Sequence, residues 1–266
     1  MPPATVAWLR SIAALFVVAW CLPLCAQVID NGPTAVVITY TSPPAKRAAF
    51  RSFMETAGIR RFEQWKKEGV FEHYQVLATS FSAEQVGRFD LAVILEFARF
   101  VDVAGWKEID RRMPGGLSTE ALALGHPETT TLAYPVGRGA GQVRDPAKAA
   151  YVLGLYDIEV PHAAYAKYAR GYVEPQLQGW LAEGALSAYV MYLSQPYQSP
   201  ALAPWTFLLV LEYTDMLALA DSDAIKEKVR LRLEKDPSWK AFSDNKASMR
   251  KAKGFVFADA IVTPAE

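Results

Sequence analysis

Tyrosine is the residue type that most clearly marks a place for chemistry or binding in this sequence. The second half of the chain carries nine tyrosines: Tyr151, Tyr156, Tyr165, Tyr168, Tyr172, Tyr189, Tyr192, Tyr197 and Tyr213. Tyr165, Tyr168 and Tyr172 follow at intervals of three and four residues, which places them on one face of a helix. An aromatic stripe at this spacing is typical of a core, yet buried phenol hydroxyls need partners or water. The stripe therefore predicts a wetter, roomier cavity in the second half, of the kind that holds a small molecule.

Histidine supplies few further candidates for acid–base or metal chemistry. The chain has three histidines, His73, His126 and His162. None stands in a His-x-x-x-His pair or at ligand spacing from paired carboxylates, which favours structural or surface roles. His162 follows Pro161 at the start of the helix that carries the tyrosine stripe. This histidine is therefore the one best placed to reach a ligand in the predicted cavity.

Two glutamates end similar apolar runs, Glu96 in LEF and Glu212 in LEY. A carboxylate at the end of such a run can have a raised pKa and act as a general base. A glutamate at the same place in two similar runs also fits a scaffold role, such as binding an arginine. The predicted ligand-binding residues are Tyr156, His162, Tyr165, Tyr168, Tyr172 and Glu212.

Composition and the remaining motifs exclude several function classes. The 28 basic and 28 acidic side chains balance, which argues against nucleic acid or an anionic membrane surface as the main partner. The sequence has no G-x-S-x-G, H-E-x-x-H or G-x-x-x-x-G-K-[ST] motif. The glycine-rich GRGAG at 137–141 predicts a flexible connector, and the mixed charges of 226–235 predict a solvated helix face.

The chain repeats itself when it is shifted by 115 residues. WKKEGVFEHY, which starts at Trp65, then falls on WLAEGALSAY, which starts at Trp180. The apolar helical stripe from Phe50 to Trp65 falls on the stripe from Tyr165 to Trp180, and with one extra residue FDLAVILEF falls on WTFLLVLEY. Because a helical register and a strand recur together, the pattern indicates a tandem duplication.

Each copy predicts the element order β-α-β-β-α-β, the split βαβ plan of a ferredoxin-like fold. We expect one repeat over 34–137, a linker over 138–149 and a second repeat over 150–263. Pro175 predicts a kink or break near Tyr172–Glu174. Asp236 and Pro237 predict the start of a helix that closes at Lys251, Lys253 and Gly254, and a last strand over Phe255–Val262.

The segment DPSWKAFSDNKASMRKAKGFVFADAIV resembles the closing helix and strand of NIPSNAP-like and EthD-like proteins. These belong to the dimeric α+β barrel superfamily, and the resemblance covers about 34–137 and 150–263. It implies that two ferredoxin-like units face each other through their sheets within one chain. Proteins of this superfamily include cofactor-free monooxygenases, lactone isomerases and haem enzymes, so the resemblance indicates the fold more than an activity.

Residues 1–26 have the plan of a secretory signal peptide. Arg10 precedes an apolar run from Ile12 to Leu22, and Ala26 offers a small residue for cleavage. The run is short for a membrane span, although an uncleaved anchor or a lipoprotein signal at Cys25 remains open. Cleavage removes both cysteines, so the mature chain has no disulfide or thiolate chemistry, and we expect a periplasmic or secreted protein.

Two functions remain open from the sequence. The first is an exported barrel that binds a small, mainly apolar molecule or a partner chain. The alternative is a cofactor-independent monooxygenase or isomerase-like enzyme, in which Tyr, His and Glu side chains orient the substrate. We expect no cofactor, because none of the three histidines stands in a setting that suits a haem ligand. The fused pair is expected to act as a monomer or to dimerise further.

Overall fold

The structure is a computed structural model, and it describes residues 31–80, 89–141, 148–198 and 204–262. The predicted export segment 1–26 and half of the predicted linker, 142–147, lie outside these ranges. We refer to residues 31–141 as the first half and to residues 148–262 as the second half. Within the described ranges, no helix has the length and apolarity needed to cross a membrane.

Eight antiparallel strands close into a barrel. They are β1 (Thr34–Thr41), β2 (His73–Thr79), β3 (Leu91–Phe97), β4 (His126–Ala140), β5 (Ala150–Ile158), β6 (Leu186–Ser194), β7 (Phe207–Tyr213) and β8 (Arg250–Ala260). The order around the barrel is β1-β3-β2-β8-β5-β7-β6-β4. The first half therefore contributes the order β4-β1-β3-β2, and the second half contributes the corresponding order β8-β5-β7-β6. Pairing of β2 with β8 and of β4 with β6 joins the halves.

Helices connect the strands within each half. In the first half they are α1 (Arg47–Phe53), α2 (Ile59–Lys67), α3 (Val103–Arg112) and α4 (Thr119–Leu122). In the second half they are α5 (His162–Tyr168), α6 (Glu174–Ala182), α7 (Met216–Ala220), α8 (Ser222–Leu233), α9 (Pro237–Asp244) and α10 (Lys246–Met249). The Asp236 side chain accepts a hydrogen bond of 2.8 Å from the Ser238 amide and caps α9, as the sequence predicts.

A π-helical turn joins α1 to α2, and a second one joins α5 to α6. These turns span Met54–Gly58 and Ala169–Val173. In each half the long helix consists of a first helix, a π turn and a second helix, and the bounds of each of these three segments differ by 115 residues between the halves. Of the kink or break predicted near Tyr172–Glu174, the break does not occur, because the helix continues through a π turn that ends at Val173 and has helical backbone angles at Glu174. The first half has the same turn with Arg60 in place of the proline, so the turn does not depend on Pro175.

Alternation along the strands separates three apolar layers. In β7, Phe207, Leu209 and Leu211 pack toward the α5–α6 helix, while Leu208 and Val210 face the barrel interior. The first half repeats this arrangement with its own core beneath α1 and α2. Each sheet thus buries one face against its long helix and the other against the opposite half.

The structure corrects two boundaries that the sequence predicts. Gly137–Ala140 are not a flexible connector but the end of β4, paired with β6. A Cβ at Gly139 would lie 2.5 Å from Cε1 of the Tyr189 ring, so a larger residue there would force the ring or the strand to move.

The second correction concerns the start of β8. Lys251, Lys253 and Gly254 do not close a helix but lie within this strand, which begins at Arg250. Pairing with β5 stabilises the extended backbone, and Lys251 and Lys253 also form ion pairs of 3.2 Å with Glu159 and Asp157.

Candidate functional site

A cavity of about 450 Å³ lies between the sheet of the second half and its long helix. Its lining is mainly apolar: Val152, Tyr156, Val173, Gln176, Leu177, Trp180, Leu209, Leu211, Tyr213, Leu219, Lys226, Arg250, Phe255 and Phe257. Phe255 and Phe257 are 52% and 41% exposed, so solvent reaches this part of the lining. An apolar concavity of this volume with a few polar groups is typical of a small-molecule site.

In the first half, aromatic side chains pack between the long helix and the sheet. Trp106 packs against Phe62 and Trp65, with ring centroids 6.3 and 5.6 Å apart. A Cβ at Gly116 would lie 2.9 Å from Trp106 and 3.0 Å from Trp65, which shows how closely these groups pack. The two halves therefore share a backbone plan and differ in how the space under the helix is used.

Arg250 is the charged group at the Phe207 end of the cavity lining. Its guanidinium carbon lies 4.1 Å from the centroid of the Tyr156 ring and 5.7 Å from that of Phe207. Nη1 donates a hydrogen bond of 3.2 Å to the Tyr165 hydroxyl. Burial opposes the charge of Arg250, but the neighbouring tyrosines outweigh this effect and raise its pKa, so the guanidinium stays positive.

The predicted tyrosine stripe forms a stacked layer behind the cavity. Ring centroids are 5.4 Å apart for Tyr165 and Tyr168 and 5.1 Å apart for Tyr168 and Tyr172, and Tyr172 stacks on Trp239 at 5.0 Å. Tyr165 and Tyr168 are fully buried, so their hydroxyls do not extend into solvent. The Tyr168 hydroxyl has no hydrogen-bond partner among the described residues. The stripe is thus packed core, joined to the cavity through the bond between Tyr165 and Arg250.

Burial keeps these phenols protonated. It raises the pKa of Tyr165 to about 12, against a smaller lowering by Arg250. Burial also raises the pKa of Tyr168 and of Tyr156, again with Arg250 acting in the opposite direction. At neutral pH these hydroxyls can donate hydrogen bonds, but they do not act as bases.

His162 does not join the tyrosines at the cavity lining. Its Nε2 is buried without a hydrogen-bond partner in the described part of the chain. Burial lowers the pKa of its imidazole, and the backbone of Ser194 at the end of β6 raises it by less. His162 is therefore a neutral side chain near the strand ends, and Tyr156 is the one predicted ligand-binding residue that lines the cavity directly.

Glu212 lies on the opposite face of the sheet, toward the barrel interior. Its carboxylate accepts hydrogen bonds from the Tyr151 hydroxyl at 2.9 Å and the Ser187 hydroxyl at 2.7 Å. Alternation in β7 separates it from the tyrosine stripe, because Leu211 and Tyr213 face the helix and Glu212 between them cannot. The structure thus does not bring Glu212 together with the other predicted site residues.

Glu96 occupies the matching place in β3. It accepts a hydrogen bond of 2.6 Å from the Tyr192 hydroxyl and pairs with Arg138 at 3.2 Å. The bond from Tyr192 joins the two halves across the barrel, the ion pair with Arg138 lies within the first half, and both agree with a scaffold role. His73 and His126 are exposed at the first positions of β2 and β4, and His126 lies 3.2 Å from the Thr41 hydroxyl.

The cavity lining does not fit a haem group. It includes no histidine, cysteine or methionine, which are the usual axial ligands. Tyr156 lies beside Arg250 in the lining, and burial raises the pKa of its hydroxyl. A raised pKa opposes the deprotonation that a tyrosine needs to bind iron. Elsewhere in the described ranges, no group of three or more His, Cys, Asp or Glu side chains is arranged to hold a metal ion.

Arg250 and Lys226 are functional candidates that the sequence did not indicate. Lys226 lies 5.7 Å from the ring centroids of both Trp180 and Tyr213, and it donates a 3.3 Å hydrogen bond to Asp223. The mixed charges of 226–235 predict that Lys226 lies on a solvated helix face, and the sequence predicts that Arg250 lies within a helix. The sequence feature that could have indicated Arg250 is an arginine at the first position of a strand. This feature can be recognised only when β8 is known to begin at Arg250.

Comparison with known proteins supports the fold. No family model matches the chain, and no curated protein matches its sequence. A proposed monooxygenase from Fusobacterium nucleatum subsp. nucleatum shares 10% identity with a TM-score of 0.50, covering 87% of this chain and 94% of that one.

Two further solved structures resemble the chain in the same way. A proposed monooxygenase from Lactobacillus acidophilus NCFM shares 11% identity over 87% of this chain and 95% of that one, with a TM-score of 0.49. An anthrone oxidase-like protein shares 12% identity over 89% and 98%, also with a TM-score of 0.49. The chain has a mixed α+β fold with an eight-stranded antiparallel barrel.

Proposed function

We propose that this protein binds a small, mainly apolar molecule in the cavity of its second half. The observation that carries the proposal is the cavity of about 450 Å³ between β5, β7, β8 and the α6 helix. Leu177, Leu209 and Leu211 supply apolar walls, whereas Phe62, the first-half residue that matches Leu177, packs against Trp106. Removing apolar surface of a ligand from water into such walls drives binding at roughly 25 cal/mol per Å².

The chemistry of the lining favours binding over catalysis. Among the described residues that line the cavity there is no histidine, aspartate or glutamate to act as a general base. The nearby phenols stay protonated, and Glu212 faces the other side of the sheet. A molecule held here therefore meets a cation and hydrogen-bond donors, but no proton acceptor of suitable pKa.

A cofactor-independent monooxygenase is the second candidate function. Arg250 favours it, because a guanidinium within an apolar cavity stabilises the anion of a phenolic or enolisable substrate. Such a substrate supplies the electrons itself: one atom of O₂ enters the product and the other leaves as water. The fold shared with the Fusobacterium nucleatum protein is consistent with this function but does not require it.

We also propose that the two halves are tandem ferredoxin-like repeats within 34–137 and 150–263. The matching strand orders and the 115-residue spacing of the two π turns support this duplication. The narrower relationship to NIPSNAP-like and EthD-like proteins, export through residues 1–26 and a periplasmic or secreted location remain predictions from the sequence.

Narrowing the cavity tests the binding function. We expect the neutral fluorescent dye N-phenyl-1-naphthylamine to bind the protein, and Leu209→Phe to weaken its binding at least tenfold because the larger ring fills the cavity. Leu231→Phe is the matched control, since Leu231 is 50% exposed on α8 and does not line the cavity. Equal dye affinity in the wild type and Leu209→Phe, with both folded, would show that this cavity is not the binding site.

Oxygen consumption tests the enzyme function. The protein is incubated with quinols, lactones and anthrones under air, and dissolved oxygen and products are followed. Turnover by the wild type that is lost in Leu209→Phe and kept in Leu231→Phe would establish catalysis in the cavity. Absence of turnover, together with dye binding, would leave the binding function as the better account.

A further inference from the structure

We infer that the natural ligand is an amphipathic anion whose acidic group pairs with Arg250 while its apolar body lies along β7. This inference rests on the proposed binding function and specifies the chemistry of the ligand. The acidic group is a carboxylate, sulfonate or phenolate, and the body is aromatic or aliphatic.

The first argument is the unused hydrogen-bonding capacity of Arg250. A guanidinium has five N–H donors arranged in a fork that matches a carboxylate. Among the described residues, only the Tyr165 hydroxyl accepts from it, at 3.2 Å from Nη1. No carboxylate of the described chain forms an ion pair with it.

Neighbouring residues on β8 show that this lack of an acidic partner is specific to the cavity face. Lys251 pairs with Glu159 and Lys253 pairs with Asp157, both at 3.2 Å. Three basic residues thus stand within four positions of one strand, and the two outside the cavity lining have carboxylate partners. Arg250 lines the cavity and has aromatic rings instead.

The surroundings of Arg250 also favour an anion. The rings of Tyr156 and Phe207 and the buried Tyr165 replace part of the water around the guanidinium. A charge in such a setting is costly unless it is paired, and attraction to an opposite charge is stronger there than in water. An incoming anion therefore gains more at this position than at an exposed arginine.

The positions of the two basic residues at opposite ends of β7 indicate how a ligand would be oriented in the cavity. Arg250 lies beside Phe207, the first residue of β7, and Lys226 lies beside Tyr213, the last. These two strand positions are about 20 Å apart at roughly 3.3 Å per residue. Leu209 and Leu211 lie between them, and Lys226 already bonds to Asp223. A single acidic group at the Arg250 end, followed by an apolar body, matches this arrangement.

A matched pair of dyes tests the inference. The anionic dye 8-anilinonaphthalene-1-sulfonate and the neutral N-phenyl-1-naphthylamine differ by one sulfonate, and both fluoresce in apolar cavities. We expect the wild type to bind the anionic dye at least tenfold more tightly. Arg250→Gln should abolish this preference, measured as the ratio of the two dye affinities in the same variant, so that any loss common to both dyes cancels. Arg250→Lys, which keeps the charge, should retain most of the preference.

Lys251→Gln is the matched control, because it removes one positive charge from the same strand outside the cavity lining. It should change neither affinity more than twofold. A wild type that binds the neutral dye as tightly as the anionic one would overturn the inference without any variant and would leave the binding function standing. A preference that survives in a folded Arg250→Gln protein would also overturn it. Failure of both dyes to bind would instead contradict the proposed function itself.

Discussion

At the scale of single residues, two neighbouring buried tyrosines differ in whether the hydroxyl has a hydrogen-bond partner. Tyr165 and Tyr168 are both fully buried on the α5 helix. The Tyr165 hydroxyl accepts a hydrogen bond from Arg250, whereas the Tyr168 hydroxyl has no partner in the described chain. A satisfied hydroxyl stabilises the fold modestly, and an unsatisfied one destabilises it.

The first prediction compares the two phenylalanine variants. Tyr165→Phe should lower the free energy of unfolding by about 1 kcal/mol, because it removes a hydrogen bond. Tyr168→Phe should leave it unchanged or raise it by about 1 kcal/mol, because it removes a buried polar group that lacks a partner. Urea denaturation of the two variants measures the difference. A larger loss in Tyr168→Phe than in Tyr165→Phe would mean that the Tyr168 hydroxyl has a bound partner, such as a water or a ligand.

The second prediction concerns alkaline pH. The pKa of Tyr165 rises from 10.0 to about 12 on folding, so its neutral form is favoured in the folded state. Stability from this group is complete below pH 10, where both states are protonated, and is lost as the pH rises toward 12. We expect the free energy of unfolding to fall over this interval by about 2 kcal/mol less in Tyr165→Phe than in the wild type. Denaturation curves from pH 9 to 12 provide the measurement, with tyrosine ionisation followed by absorbance.

At the scale of elements, the long helices tolerate a proline because of their π turns. The Glu174 amide bonds to the Ala169 carbonyl, five residues back, so the backbone is wider where Pro175 follows. Ile59 makes the same bond to Met54 in the first half. A proline within a regular helical turn costs about 3 kcal/mol. Because both halves have the same π turn, we expect both long helices to accept a proline just after it at a lower cost.

The third prediction transfers the proline to the first half. Arg60 is the equivalent of Pro175 after the first π turn, so Arg60→Pro should cost about 1 kcal/mol or less. Gln64→Pro, four residues later in α2, should cost about 3 kcal/mol because it interrupts regular helical bonding. Thermal and urea unfolding of both variants would decide this. Equal destabilisation by the two prolines would contradict a special role for the π turn.

At the scale of the whole molecule, closure of the barrel makes each half part of the core of the other. Tyr192 of the second half donates to Glu96 of the first, and Arg138 pairs with the same carboxylate. The β4–β6 seam also depends on glycine, because a Cβ at Gly139 would meet the Tyr189 ring at 2.5 Å. A substitution where β4 pairs with β6 should therefore alter the packing of both halves.

The fourth prediction uses this seam. Gly139→Ala should destabilise the protein by about 1–3 kcal/mol through overpacking. Unfolding should remain a single transition, because the halves share the barrel interior. Gly105→Ala is the control. Gly105 lies within α3, and its added Cβ would be 3.9 Å from Val70, an ordinary contact, so this substitution should be neutral or stabilising. Two separate transitions in calorimetry, with only one shifted by Gly139→Ala, would show that the halves fold independently.

Local pattern was sufficient for several elements of this protein, but not for the end of β4 or the start of β8. The apolar spacing in the long helices, the alternation in β3 and β7 and the cap at Asp236 are properties of short segments, so the sequence alone determined these elements and their order. The tertiary structure decided the rest. Strand pairing placed Arg250 at the start of β8, and alternation turned Glu212 away from the tyrosines. The cavity lining brings together residues of β5, β7, β8 and α6, whereas in the first half Trp106 packs against Trp65, and both arrangements depend on contacts between distant segments.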